Sequence, residues 1–386
     1  MLRNKQELLH TPDGVRDTYG EEYAGYLRLI SGIHEKFREY GYEDIKTPSF
    51  EFFDVFSSEI GTTPSRDLYK FFDKEGNTLV LRPDFTPSVA RCAAKYFGEE
   101  RRTLRFCYQG SAFSNTSSLQ GKLKESTHMG AECIGDGSVY ADAEAVALLA
   151  ECLKGAGLSE FQISIGNAEY FKGLCEAAGL PSDTEMRLRE FISGKNYFAA
   201  QELLREKNVS EHFQELFLKI SDFMSSEEEL LQMLEAAEND RSRAAIRRLI
   251  ELLRLLKIYG VDRHVSFDLS LLSKYHYYTG VIFKAFTYGV GEAVASGGRY
   301  DSLLSYFGKE APAIGFMIPI EILMSALFSQ HVTIGKEQKP ILLEYDESSY
   351  EEMLHKAMKL RADGAAAALV MKRTKQTEDH SDTFGG

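Results

Sequence analysis

Tryptophan is absent from the 386-residue chain, prolines number only nine, and the five cysteines are never spaced as C-x-x-C. Cys92, Cys107, Cys133, Cys152 and Cys175 are odd in number and lack metal-ligand spacing, so they are expected to be buried reduced thiols in a cytoplasmic protein. Neither a disulfide framework nor a metal site is expected. Positive charge is in deficit, with 45 Lys plus Arg against 58 Asp plus Glu and a net charge of -13. A polyanion is held mainly by Lys and Arg that release its counterions, so broad nucleic-acid binding is disfavoured and only a local basic groove stays open. Long apolar runs are also missing. Ala365 to Met371 is too short to cross a bilayer, and Met1 to Asp13 is too polar to read as a signal peptide or anchor. No phosphate-binding G-x-x-x-x-G-K-S/T loop, G-x-S-x-G elbow or H-E-x-x-H pair occurs.

The composition is 44% hydrophobic, 27% charged and 12% aromatic, which excludes a disordered, collagen-like or coiled-coil chain. At about 100 to 200 residues per domain, the length suits two or three domains. Between Glu22 and Tyr40, Tyr23, Tyr26, Leu27, Ile30, Ile33 and Phe37 recur at helical spacing and predict one apolar helix face. Tyr42 to Phe56 is aromatic and broken by Pro48. Leu68 to Phe72 and Leu79 to Leu81 flank a turn-rich insert and predict a hairpin. Further strands are expected at Leu104 to Phe113, His128 to Gly135, Phe161 to Gly166 and Val281 to Tyr288. Hairpins and long excursions join them, so the fold class is α+β with a mainly antiparallel sheet.

From 181 to 259 the chain turns to successive helices, one opened by a capping box of Ser226 and Glu229. A later helix repeats Ile246, Leu249, Ile250, Leu253 and Leu256, with Arg243, Arg247, Arg248 and Arg254 at charged positions. A solvated face is favoured for these arginines over a nucleic-acid contact. The block reads as a helical insertion into a domain formed by 1–180 and 260–330. After a linker from His331 to Lys339, residues 339–371 predict a short βαβ unit, whose helix opens at Ser348 and Glu351. The polar tail, 372–386, is expected to be disordered.

Four segments are unusually rich in Gly, Tyr and acids: Leu81 to Pro87, His128 to Glu132, Tyr277 to Gly280, and Gly297 to Asp301. Together with Thr11 to Asp17, and in this order, they resemble the histidyl-tRNA synthetase catalytic domain, a class II aminoacyl-tRNA synthetase fold. The resemblance runs to about Leu323. Thr47 to Glu51 is similar to the first class II motif, Tyr108 to Gly135 to the second and Ala313 to Leu323 to the third. The resemblance places Asp84, Thr86, His128, Glu132, Tyr278 and Tyr300 around the amino acid histidine. It implies a carboxylate and hydroxyl for the ammonium, and Glu132 with two phenols for the imidazole. The family normally carries Glu where Asp84 stands and Gln where His128 stands. The bland alternative is an inherited polar core, but an unpaired buried carboxylate is costly.

The departures are informative. The family's Phe-Arg-x-Glu is here Phe113-Ser114-Asn115-Thr116, its Arg-Gly-Leu-Asp-Tyr-Tyr is Ser273 to Tyr278, and its Glu-Arg-Leu is Glu321-Ile322-Leu323. Arginines that would neutralise ATP phosphate are thus replaced by Ser114, Ser273 and Ile322. Each loss removes on the order of 3 kcal/mol of transition-state stabilisation, and Lys274 next to one of them lacks the bidentate guanidinium geometry. His276 is read as structural because no catalytic partner lies near it in sequence, and Arg299 beside Asp301 is read as an ion pair.

A synthetase-like body with a histidine pocket and no phosphate arginines resembles the regulatory subunit of ATP phosphoribosyltransferase. That resemblance implies no catalysis and no cofactor. It implies a short-form catalytic subunit as the partner to be activated, histidine as feedback effector, and a hetero-octamer of four plus four built on a synthetase-like dimer. The single C-terminal βαβ unit is smaller than an anticodon-binding domain, so tRNA is disfavoured as a partner. Two alternatives remain open at this point. One is an active or degenerate histidyl-tRNA synthetase, and the other a synthetase-derived module that senses tRNA.

Overall fold

The computed structural model describes residues 9–56, 63–116, 123–272, 278–335 and 339–372. It divides into two compact units, 1–334 and 335–386. The first unit begins with α1 (Gly20–Glu39), β1 (Glu43–Asp44), β2 (Phe50–Phe52), β3 (Lys70–Phe72), β4 (Thr78–Leu81) and α2 (Thr86–Tyr96). A long hairpin of β5 (Leu104–Phe113) and β6 (Glu125–Ile134) follows, then α3 (Val139–Gly155), β7 (Gln162–Asn167) and α4 (Ala168–Ala177). The helical stretch comprises α5 (Ser182–Ser193), α6 (Tyr197–Glu206), α7 (Glu211–Lys219), β8 (Phe223–Met224), α8 (Glu227–Ala236) and α9 (Asp240–Tyr259). The unit closes with β9 (Val265–Asp268), β10 (Val281–Phe286), β11 (Ala295–Arg299), β12 (Ala313–Pro319) and α10 (Ile320–Ser329).

Nine of the described strands form one sheet in the order β1-β5-β6-β12-β11-β10-β7-β9-β8. Its central ladders are antiparallel, as the hairpin-rich sequence predicts, but β1 with β5 and β7 with β9 run parallel. A separate three-stranded sheet holds the expected hairpin, β3 with β4, and adds β2 on the other side of β4. The expected face of α1 is only half correct. Leu29, Ile30, Ile33 and Phe37 are buried, while Tyr23 and Leu27 remain about half exposed at 45% and 49%. Helix α3, with Ala143 and the residues from Ala145 to Ala150 buried, joins the main core.

The helical stretch does not pack apart from the sheet. Leu188, Leu204, Phe217, Leu230 and Leu256 belong to the same core as Ile163 and Phe283 from the strands. The capping box of Ser226 and Glu229 is formed at the start of α8, and Gly260 ends α9 in a left-handed conformation at φ 69°. Three of the four candidate arginines on α9 serve the fold: Arg248 meets Asp142 at 2.6 Å, Arg254 meets Glu227 at 2.7 Å, and Arg243 donates to the Ala237 carbonyl at 2.9 Å. Arg247 is exposed.

The second unit contains β13 (Ile341–Tyr345), α11 (Tyr350–Ala362) and β14 (Ala367–Met371), with the two strands parallel and a small core of Leu343, Ala357 and Ala367. Its helix starts one residue later than Ser348 and Glu351 suggest. Ser349 occupies the N-cap, because the Ser348 hydroxyl instead donates to Asp346 at 2.6 Å. The expected tail beyond residue 372 lies outside the described residues.

Candidate functional site

The site is built where β5, β6 and β12 lie side by side. Paired residues of antiparallel strands share a face, and the register sets Tyr108 opposite Gly130 and Glu132 opposite Gly315. Both glycines are needed for space. A Cβ on Gly130 would fall 2.3 Å from the Tyr108 hydroxyl, and one on Gly315 would fall 1.6 Å from the Glu132 carboxylate. Glycine inside a strand weakens it and marks a close approach, which here admits a phenol and a carboxyl into the sheet face.

Glu132 is 1% exposed and takes hydrogen bonds from Thr86, at 2.8 Å, and from the Tyr300 hydroxyl. Among the described residues no cation pairs with it. Burial lifts its pKa to about 8, against the opposing effect of its hydroxyl donors. The phenols of Tyr108 and Tyr300 are pushed well above their ordinary value, mainly by burial. Tyr108 stacks on Phe85 with ring centres 4.4 Å apart, and Arg82 covers the other ring with its guanidinium 3.8 Å from the Phe85 centroid. The Arg82 guanidinium donates from Nε to the Ser111 carbonyl and from Nη1 to the Thr47 and Pro48 carbonyls.

In front of Glu132 lies a cavity of about 200 Å³, lined by Asp84, Thr86, His128, Tyr278 and Tyr300 together with Thr63, Ser114, Ser296 and Met317. The structure thus brings together five of the six expected site residues on one wall, and Glu132 stands behind two of them. Asp84 lies two residues before α2 and accepts from the Phe85 and Thr86 backbone N–H groups at 2.6 and 3.3 Å. His128 is lowered to about 4 by burial and the Arg82 charge, so it is neutral at pH 7. Its Nε2 pairs with Ser126 at 3.1 Å, while its buried Nδ1 has no partner. The Tyr108 hydroxyl is likewise buried without one. Among the described residues lining the cavity there is no Lys or Arg. Such a wall suits a small cationic or hydrogen-bonding ligand.

Tyr108 is the site residue that sequence reasoning passed over. Its signal was Gly130 in the paired strand, which only the register connects to it. Ser114 lies on the cavity wall, Ile322 packs against the main core, and Ser273 falls outside the described residues, as do Lys274 and His276. Arg299 and Asp301 do form an ion pair at 3.0 Å, and Arg299 also meets Asp142 at 2.6 Å. A larger cavity of about 350 Å³ faces Ser111 and Thr127 instead, residues that alternate with the site on the same strands, and holds none of the expected set.

Residues 14–323 match the family described as histidyl-tRNA synthetase. A protein of Acetivibrio thermocellus named ATP phosphoribosyltransferase regulatory subunit is 38% identical over 358 residues, covering 93% of this chain and 86% of that one. The chain belongs to this histidyl-tRNA synthetase-like family of regulatory subunits. A crystal structure titled ATP phosphoribosyltransferase regulatory subunit/histidyl-tRNA synthetase, from Bacillus halodurans, superposes with a TM-score of 0.86 at 30% identity, covering 96% of this chain and 94% of that one. Histidyl-tRNA synthetase from Nostoc, at 18% identity and a TM-score of 0.80 over 96% of this chain and 87% of its own, shares the fold. The class II synthetase-like α+β architecture of the regulatory-subunit family is therefore that of this protein. No described helix is long and apolar enough to cross a membrane.

Proposed function

We propose that the protein is the regulatory subunit of ATP phosphoribosyltransferase, which activates a short catalytic subunit and confers feedback inhibition by histidine in the first step of histidine biosynthesis. The cavity carries this reading: a buried carboxyl with no counter-charge among the described residues sits behind hydroxyls, and no described lining residue is cationic. Histidine would occupy it against Asp84, Thr86, His128, Glu132, Tyr278 and Tyr300. Thr86 and Tyr300 take two acceptor sites of the Glu132 carboxyl, which even when protonated keeps acceptor capacity for an imidazole N–H. The effector controls the partner only through different affinities for active and inhibited states, so whatever stabilises the active state must weaken histidine binding.

The subunit is non-catalytic on this reading, because Ser114, Ser273 and Ile322 stand where a synthetase has arginines. Exposed Phe50 within the first-motif segment and Phe52 just after it, with Tyr23 and Leu27 on α1, support self-association into a synthetase-like dimer within a four-plus-four complex. Residues 1–180 and 260–330 are then the synthetase-like body, 181–259 its insertion and 339–371 a shortened C-terminal unit, in a cytoplasmic protein. Mixing the purified chain with a short catalytic subunit should produce phosphoribosyltransferase activity that falls on adding histidine. Failure to activate, or histidine-dependent ATP–pyrophosphate exchange by this chain alone, would overturn the reading.

A further inference from the structure

Away from the cavity, three metal-binding side chains of different chemistry converge at the edge of the large sheet. His34 comes from α1, Asp44 from the edge strand β1 and Cys107 from β5. Asp44 and Cys107 are register partners in the parallel β1–β5 pair, and α1 places His34 beside them. One Asp44 oxygen lies 2.6 Å from His34 Nε2 and 3.6 Å from Cys107 Sγ, and all three ligand atoms fall within 4.8 Å of one another. We propose that His34, Asp44 and Cys107 bind one divalent transition-metal ion of the zinc class.

The geometry is close to what such an ion requires. Zinc bond lengths of about 2.0 to 2.3 Å in a tetrahedron put neighbouring ligand atoms roughly 3.2 to 3.7 Å apart. The His34–Asp44 contact must open and the widest separation must close, each by on the order of 1 Å, within reach of side-chain rotation. Imidazole, carboxylate and thiolate form a borderline-soft set that favours zinc or cobalt over calcium or magnesium. A carboxylate and a thiolate also neutralise a doubly charged ion. Cys107 is buried at 1% exposure, so an ion would enter from the side of the Asp44 and His34 side chains, which are 68% and 34% exposed and where water can complete the coordination.

Without an ion, burial and the adjacent Asp44 push the Cys107 thiol up to about 12. Metal binding displaces the thiol proton. The ion would tie α1 to the sheet edge, three residues before the Thr47 to Glu51 segment. Sequence spacing hides the set, because its members lie on separate elements. The inference is independent of the proposed regulatory role.

The test is a titration of chelator-treated full-length protein with Co²⁺ under reducing conditions. One equivalent should produce the intense thiolate-to-cobalt charge-transfer absorption, which Zn²⁺ then displaces. His34→Ala should weaken Co²⁺ binding by at least about tenfold, comparable to the loss on disturbing a metal's supporting shell. Cys107→Ser should abolish the charge-transfer band, and Cys92→Ser, at the part-exposed thiol outside the site, should retain it. Zn²⁺ should raise the unfolding temperature of the wild type and not of His34→Ala, which keeps the test decisive if Cys107→Ser folds poorly. No charge-transfer band in the wild type, or a band and thermal shift undiminished in His34→Ala, would refute the site.

Discussion

Two carboxyl groups are buried in the same sheet-and-helix body and are treated in opposite ways. Asp142, in the first turn of α3, is 0% exposed and held between two guanidiniums, Arg299 at 2.6 Å and Arg248 at 2.6 Å. Glu132 is 1% exposed and meets only hydroxyls. Hydroxyls leave the charge uncompensated, so Glu132 holds its proton up to about pH 8. A buried acid paired with cations serves the fold. One left without a cation, behind a cavity wall, is poised to interact with whatever fills the cavity.

The largest effect expected from breaking this contrast is at Asp142. Asp142→Ala leaves Arg299, only 3% exposed, without its main anionic partner. Asp301 at 3.0 Å and the Asp136 and Ser138 carbonyls remain but cannot balance it fully. Urea unfolding should show a loss of about 3 to 5 kcal/mol, the usual cost of stranding one half of a buried pair. A loss below about 1 kcal/mol, the value of an exposed pair, would mean that the arginines are solvated and Asp142 is not structural.

Glu132→Gln should act in the opposite direction. With a folded pKa near 8 against an ordinary value of 4.5, the folded state holds a proton that the unfolded chain releases. Stability from this group is complete below about pH 4.5 and is lost as pH rises towards 8, amounting to on the order of 3 kcal/mol by pH 7. Glutamine removes that loss, so the variant should be more stable than the wild type at pH 7 and show a flatter pH profile from 4.5 to 8. Calorimetry on the same protein should find histidine binding weakened or gone. A destabilised Glu132→Gln would put Glu132 in the same class as Asp142.

Much of this contrast is legible in the sequence and some is not. The long hairpin, the capped helices and the C-terminal βαβ order follow from local patterns of apolar spacing and turn residues. Glu132, Thr86 and Tyr300 are recognisable through a resemblance, whose motifs are contiguous. The Arg299–Asp142–Arg248 triad joins residues from three elements far apart in the chain, and only the fold reveals it. The same holds for Tyr108 facing Gly130. Tyr23 and Leu27 show the limit of periodicity: helical spacing marks an apolar face without stating how much of it the chain itself covers.

Gly315→Ala sharpens the contrast at intermediate size. Its Cβ would lie 1.6 Å from the Glu132 carboxylate and 2.7 Å from the Ala131 carbonyl, so either the carboxyl or the strand must move. Overpacking of this kind costs about 1 to 3 kcal/mol. Histidine affinity should fall with it, and the Glu132-dependent part of the pH profile should shift. Thermal unfolding and calorimetry at two pH values on either side of neutrality measure both.

The smallest effect is expected at Arg248, the outer partner of Asp142. Its side chain is 27% exposed, and besides Asp142 it donates only to the Gly137 carbonyl, at 3.0 Å. Arg248→Gln leaves Asp142 with Arg299, the inner and better-buried cation, which contacts it through two nitrogens at 2.6 and 2.8 Å. Solvent reaches the vacated position, so the loss should be near 1 kcal/mol, in line with a part-exposed ion pair. Combined with Asp142→Ala, the Arg248 substitution should add almost nothing, because its ionic partner is already gone. A double mutant as unstable as the sum of the singles would show that Arg248 acts through packing on α3, with Arg299 alone compensating the buried charge.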